Sequence, residues 1–214
     1  ESVQALRAGT TGADAEAEQF LVTMEQAARR IAGMVDALLL LSRVQRAPLN
    51  PGPIDLAALA REASARLHAA APQRVVDWQL PAVPVLLHAD AALLRQLLDA
   101  LLGNAFKFTQ GRARACIALT VDLEPGGLCW RVQDDGAGFD PARAQGLFGL
   151  FQRLHREGEF DGVGGGLALA QAIVQRHGGR IAATAQPGAG CVVTVHWPAA
   201  PAQPFAGASG SVAA

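Results

Sequence analysis

Apolar residues recur along the first part of the chain at spacings that alternate between three and four residues. This is the spacing of a helix seam in a bundle or coiled coil. Further apolar residues at 39–41 widen the stripe, and two hairpins paired in a four-helix dimer would bury it better than a monomer could. Periodicity alone is equally compatible with an ordinary core helix. The seam positions are Leu21, Met24, Ala28, Ile31, Val35 and Leu38.

After a Pro/Gly-rich hinge at residues 48–53, the pattern changes to short strands and amphipathic helices. The first helix is expected to end near Val44, and further helices are predicted over 55–70, 91–108 and 167–177. Strands are predicted near 49–53, 75–80, 83–88, 115–123 and 128–133, with a final hairpin over 180–197. We therefore divide the chain into a partial helical domain (1–48), a mixed domain (49–198) and a flexible Ala/Gly/Ser/Pro-rich tail (199–214).

Three motifs of the mixed domain together predict a nucleotide pocket. Asn104 and Lys107 are three residues apart and share a helix face. The Asn104 amide oxygen could bind a cation, and the Lys107 ammonium beside it could bind phosphate. Asp134 follows a strand and enters a glycine turn, where its carboxylate could accept a hydrogen bond from the exocyclic amine of a base. The glycine-rich run 162–166 opens a helix at Leu167, whose N-terminus favours anions. Each signal is weak alone, and their order gives them weight.

In this order the motifs resemble the boxes of sensor histidine kinases. Residues 104–109 are similar to the N box, 134–138 to the first glycine box, 148–153 to the F box and 162–167 to the second glycine box. The resemblance continues to Trp197-Pro198 and covers most of the chain. It implies an α+β protein: a partial helical dimerisation hairpin followed by an ATP-binding α/β sandwich, with a mixed sheet backed by helices, as in gyrase, Hsp90 and MutL.

The resemblance also implies roles for single residues, with ATP and Mg²⁺ as cofactors. Asn104 would hold Mg²⁺, Lys107 would meet the phosphates, and Asp134 would bind the adenine amine. Gly136 and Gly138 would shape the adenine end of the pocket. The lid would contain Gly162, Gly164, Gly166 and Leu167, anchored by Phe148 and Phe151, and Arg153 would lie near the terminal phosphate.

The first helix ends in Leu41-Ser42-Arg43 before the hinge, which is similar to the end of the second dimerisation helix of these kinases. Residues 1–8 would then be the tail of the first dimerisation helix, and 9–12 the loop between the two. The phosphoacceptor motif of the family is not found, since none of the five histidines has the right context. We expect the chain to be a fragment, with the acceptor histidine upstream of Glu1.

Two positions depart from the family pattern. Ala100 stands where the N box usually carries its first Asn, so we expect a weakened Mg²⁺ site, because loss of a ligand or of its support commonly costs tenfold or more in affinity. Gly165 stands where an apolar residue is usual. Glycine costs on the order of 1 kcal/mol in backbone entropy relative to alanine, so we expect a more mobile lid.

The leading hypothesis is ATP-dependent autophosphorylation of an upstream histidine, followed by transfer to an aspartate of a response regulator, in a homodimer formed through the N-terminal helices. A degenerate nucleotide-sensing or scaffolding dimer is the alternative, favoured by Ala100 and by the missing acceptor. A serine kinase of the anti-sigma type would use the same pocket, but the helix that ends Leu41-Ser42-Arg43 argues against it.

Composition limits the binding partners and the location that the chain can have. A formal net charge of −1 gives no electrostatic reason to expect binding to nucleic acid or an anionic membrane. No apolar run approaches the roughly 20 residues of a membrane span, so we expect a cytoplasmic protein, either alone or as the cytosolic part of a membrane-anchored receptor. Cys116, Cys129 and Cys191 show no close pair or metal-site spacing, which predicts buried, reduced thiols.

Overall fold

A computed structural model of the chain describes residues 14–149 and 165–199. Its helices are α1 (Asp14–Arg46), α2 (Leu56–Ala70), α3 (Ala91–Phe108) and α4 (Gly166–Arg176), with a 3₁₀ helix at Pro141–Gly146. Its strands are β1 (Pro51–Asp55), β2 (Val76–Gln79), β3 (Leu86–Asp90), β4 (Ala115–Glu124), β5 (Gly127–Asp134), β6 (Arg180–Gln186) and β7 (Gly190–Pro198). The predicted elements are therefore present. Strands β1 and β3 start later than predicted, because their antiparallel register pairs Pro51 with Asp90 and Asp55 with Leu86.

A five-stranded mixed sheet with the strand order β2-β4-β5-β7-β6 forms one layer of the fold. Strand β2 runs parallel to β4, and the other neighbours are antiparallel. Helices α2, α3 and α4 form the second layer, and α3 contributes a row of fully buried leucines that includes Leu94, Leu97 and Leu98. Trp130 and Val132 of β5 are buried on the helix-facing side of the sheet. The predicted α/β sandwich is confirmed.

Asp90 begins α3 and joins it to two other parts of the domain. Its Oδ1 accepts hydrogen bonds from the Ala92 N–H (3.0 Å) and the Leu93 N–H (3.1 Å), which is an N-cap. Its Oδ2 accepts from the Asn50 N–H (3.1 Å), and its own N–H donates to His177 Nε2 (3.1 Å) beyond the end of α4. One residue therefore fixes where α3 starts relative to the hinge and to α4.

Helix α1 contacts the mixed domain along its C-terminal half. Val44 is buried in the core, and its carbonyl accepts a hydrogen bond from the Arg176 guanidinium at the end of α4. The expected seam faces away from this contact: Met24 and Ile31 are 54% and 62% exposed in the single chain. In the described ranges, 14–149 and 165–199, no helix combines the length and the apolar character that crossing a bilayer requires.

The three cysteines are free thiols on strands. Cys129 is fully buried, as predicted, whereas Cys116 and Cys191 are only partly covered. The Cys129 thiol lies beside the side chains of Glu124 and His196. Sequence spacing could not show this group, because it is assembled by strand pairing.

Candidate functional site

The N-terminus of α4 lies against the middle of α3, at the position of Asn104. A Cβ added to Gly166 would lie 3.9 Å from Asn104 Nδ2 and 4.0 Å from Ala100 Cβ. Gly166 therefore lies directly beside Asn104 and Ala100. The preceding residue, Gly165, offers no side-chain cap to the first turn of α4, which leaves backbone N–H groups available to an anion beside the Asn104 amide.

Lys107 lies one helical turn beyond Asn104, in the last turn of α3. Its ammonium lies 4.6 Å from the centroid of the Phe108 ring, a cation–π distance. The Phe108 carbonyl accepts a hydrogen bond from the Ala137 N–H (3.0 Å). The end of α3 therefore abuts the first glycine turn, and the structure brings the Asn104–Lys107 segment to the turn that follows Asp134.

Asp134 is the last residue of β5, and its side chain is almost completely buried. Its Oδ1 accepts a hydrogen bond from the Gly136 N–H (2.9 Å). Burial raises the pKa of Asp134 to about 6, although the Gly136 hydrogen bond acts in the opposite direction. A buried carboxylate with so few donors is suited to recognising a ligand N–H group.

At several positions around Asp134, the backbone leaves room only for glycine. A Cβ on Gly136 would lie 2.5 Å from the Phe108 carbonyl oxygen. Gly138 has φ +62°, and a Cβ there would lie 2.0 Å from the Gln186 carbonyl oxygen. Gly190 of the following hairpin has φ +88°, and a Cβ there would lie 1.9 Å from the Asp134 carbonyl oxygen. Larger residues here would force the turn away from the end of β5.

Two arginines that the sequence did not single out support this region. Arg112 donates through Nε to the Asp135 carbonyl (2.7 Å) and through Nη2 to the Gly188 carbonyl (2.8 Å), so it ties together the two turns beside Asp134. Arg74 donates to the Phe106 carbonyl (2.5 Å) and to Thr109 Oγ1 (3.0 Å) at the end of α3. No local signal marks either residue, because their partners lie far away in the sequence.

The remaining predicted site residues fall into two groups. Phe148 follows the 3₁₀ helix and is partly buried, and Leu167 in the first turn of α4 packs against the core. Phe151, Arg153, Gly162 and Gly164 lie outside the described residues.

The donor set fits Mg²⁺ bound together with a nucleotide. Asn104 offers one hard amide oxygen, and Ala100 offers none. Mg²⁺ usually keeps several waters and takes only one or two protein oxygens, with phosphates as further ligands. The first turn of α4, which has no side-chain cap, lies beside Asn104 and offers backbone N–H groups to such phosphates.

Residues 89–201 match the family model described as histidine kinase-, DNA gyrase B-, and HSP90-like ATPase. The chain belongs to this family, and its fold and relatives place it in the histidine-kinase branch.

Its relatives include sensor kinases of Mycobacterium tuberculosis. The probable sensor histidine kinase TcrY is 33% identical over 162 residues, which is 74% of this chain and 34% of TcrY. The sensor histidine kinase TrcS is 36% identical over 181 residues, which is 82% of this chain and 35% of TrcS. The chain thus spans about a third of the length of these curated relatives.

Solved structures share the fold. The full-length ShkA structure, in complex with AMPPNP, aligns with a TM-score of 0.62 at 24% identity, covering 94% of this chain and 42% of ShkA. An alignment over so much of the chain includes α1 as well as the sandwich.

Proposed function

We propose that this chain is the catalytic part of a two-component sensor kinase, which uses ATP to phosphorylate a histidine and then passes the phosphoryl group to an aspartate of a response regulator. The juxtaposition of Asn104 with the uncapped start of α4, in a member of an ATPase family, is the observation that carries the proposal. The AMPPNP complex of ShkA supports ATP as the nucleotide.

Each residue of the pocket has a role in this proposal. When bound, ATP supplies the phosphoryl group, and Mg²⁺ offsets its negative charge. Asp134 accepts a hydrogen bond from the adenine amine, within a turn shaped by Gly136 and Gly138. The Asn104 amide oxygen holds the cation, and Lys107 contacts the phosphates.

The lid residues complete the set. Gly166 and Leu167 form the described end of the lid, together with Gly162 and Gly164, and Phe148 and Phe151 anchor it. Arg153 contacts the terminal phosphate. A charge contact at the transferring group stabilises the transition state without any covalent chemistry by the protein.

The helical part supplies the dimer and the acceptor. The exposed seam of α1 pairs with a second copy, and the acceptor histidine lies in a segment upstream of Glu1 on the first dimerisation helix. The matched region covers only about a third of each of these sensor kinases, which supports such a segment. We place the catalytic part in the cytoplasm, where a response regulator can reach it.

Ala100 favours a second candidate, a nucleotide-sensing or scaffolding dimer without kinase turnover. Its methyl group gives Mg²⁺ no oxygen one turn before Asn104. Such a protein would bind nucleotide and change its helical contacts, but it would transfer no phosphoryl group.

Calorimetric titration of ATP into the chain, with and without Mg²⁺, tests nucleotide binding. We expect saturable binding that Mg²⁺ strengthens and that Asp134→Asn weakens at least tenfold. Asp99→Asn is the matched control, because Asp99 is an exposed α3 carboxylate paired with Arg66. Absence of binding at millimolar nucleotide would overturn the proposal.

A longer chain that begins upstream of Glu1 distinguishes the two candidates. The kinase predicts incorporation of labelled γ-phosphate in an acid-labile, base-stable linkage, and loss of that label in Asn104→Ala. Nucleotide binding without incorporation would favour the sensing dimer.

A further inference from the structure

Three metal-binding side chains meet on the sheet face that points away from the helices. They are Glu124 at the end of β4, Cys129 on β5 and His196 on β7. Their ligand atoms all lie within 4.8 Å of one another. His196 Nδ1 and Glu124 Oε2 are 3.1 Å apart. This group lies outside the nucleotide pocket and takes no part in the function proposed above.

Strand pairing builds the group. Cys129 is the direct register partner of His196 on one side and of Asp122 on the other. Glu124 lies two residues beyond Asp122 on β4, so it points to the same face of the sheet. Cys129 is fully buried beneath side chains that are themselves about half exposed, His196 at 48% and Glu124 at 41%. One ligand is therefore fixed by the core, and the other two have room to adjust.

The donor types select the class of cation. A thiolate sulfur, an imidazole nitrogen and a carboxylate oxygen form a set that Zn²⁺ and similar borderline-soft divalent ions prefer over Mg²⁺ or Ca²⁺. Tetrahedral bonds of about 2.0–2.3 Å place neighbouring ligand atoms roughly 3.3–3.8 Å apart, so closure requires shifts of about 1 Å. Partly exposed side chains can make such shifts at low cost.

The charges around the group also suit a dication. A thiolate and a carboxylate together neutralise a 2+ ion, with neutral imidazole as the third ligand. Two arginines flank the group: Arg131, which is paired with Asp122, and Arg180, which is the register partner of His196 on the exposed edge strand β6. The Asp122 carboxylate offsets the nearer cation, so a metal ion faces no unpaired positive charge from β5.

We propose that Glu124, Cys129 and His196 bind Zn²⁺ or a chemically similar divalent ion, which joins strands β4, β5 and β7. Asp134 lies five positions beyond Cys129 on β5, a distance of about 17 Å along an extended strand. The ion therefore acts on the sheet and not on the nucleotide. Three protein ligands leave a fourth position for water or an external ligand.

Cobalt provides the spectroscopic test, because a thiolate ligand gives Co²⁺ a distinct charge-transfer absorption. Co²⁺ is titrated into the tag-free, chelator-treated chain, and Zn²⁺ is then added as competitor. We expect a thiolate-to-cobalt band at micromolar metal that Zn²⁺ removes. Cys129→Ser should abolish the band, and His196→Gln and Glu124→Gln should each weaken binding about tenfold or more.

Cys116→Ser is the matched control, since Cys116 is a strand cysteine outside the group, and its band should match that of the wild type. His196→Gln and Glu124→Gln change exposed side chains, so they keep the test valid if the buried Cys129→Ser variant fails to fold. Zn²⁺ should also raise the melting temperature of the wild type more than that of these two variants. A missing band, or a band equally strong in all variants, would overturn the proposal and leave the group as an ion pair covering an inert thiol.

Discussion

The carboxyl group of Asp134 is buried. Burial disfavours its charged form and raises its pKa to about 6. Since the folded-state pKa exceeds the ordinary value of 3.8, this residue stabilises the fold most below about pH 4, and that contribution is lost as the pH rises through 6. The shift corresponds to roughly 3 kcal/mol. The side chain is therefore held in the pocket at a cost to stability near neutral pH.

Asp134→Asn should accordingly be more stable than the wild type at pH 8, by about 1–3 kcal/mol, and show little difference at pH 4. The same substitution should weaken nucleotide binding, and wild-type affinity should itself fall as the pH drops below 6. Urea unfolding and calorimetry at both pH values measure these effects. Equal stability of the two proteins at pH 8 would contradict the assignment of a buried, ionised carboxylate.

Arg74 is a second residue whose effect can be predicted from its contacts. It makes two hydrogen bonds to the end of α3 and lies 3.9 Å from the centroid of the Phe106 ring. Arg74→Met keeps the length of the side chain and loses these bonds, so we expect the free energy of unfolding to fall by about 2–3 kcal/mol. Arg66→Met removes an exposed ion pair with Asp99 and should cost less than about 1 kcal/mol. Similar losses in urea unfolding would show that the α3 contacts of Arg74 add nothing.

At the scale of elements, helices and strands could be predicted because their signals are local. The apolar period of α3 predicted that Asn104 lies on a helix, and the glycine turn predicted that Asp134 follows a strand; the structure has Asn104 on α3 and Asp134 at the end of β5. What could not be predicted depends on register and long-range contact. Cys129 meets His196 only because β5 pairs with β7. Arg112 reaches the Gly188 carbonyl only because the hairpin between β6 and β7 lies beside the turn after β5. A single sequence carries no local signal for such pairs.

The junction of α1 and α4 shows why glycine occupies position 165. A Cβ there would lie 2.9 Å from Ala37 Cβ, which is closer than two such carbons can approach. Gly165→Leu, which restores an apolar residue, should therefore push α1 away from α4. Faster hydrogen exchange over residues 37–44 would report this change. Gly103→Ala is the control, because no atom lies within 4 Å of a Cβ there, and it should stabilise α3 by about 0.5–1 kcal/mol.

At the scale of the whole molecule, the seam of α1 exposes a row of large apolar side chains in the single chain: Met24, Ile31, Val35 and Leu38. Ile31→Glu and Val35→Glu should turn the proposed dimer into a monomer, because each places a charge in the buried interface. Sedimentation at several concentrations measures this. Val83→Glu changes an even more exposed apolar residue, at 69%, on the mixed domain and should leave the dimer intact. If all three variants sediment alike, the seam is not the interface.

Helix α4 touches α1 at both of its ends, near Ala37 and at Val44, while its first residue, Gly166, faces Asn104. A rotation of α1 would therefore move one wall of the proposed nucleotide pocket. Thermodynamic linkage makes this relation reciprocal. If two orientations of α1 differ in nucleotide affinity by some factor, then nucleotide binding must change the equilibrium constant between those orientations by the same factor. A signal arriving along the helix and a nucleotide arriving from solution would thus act on one shared equilibrium.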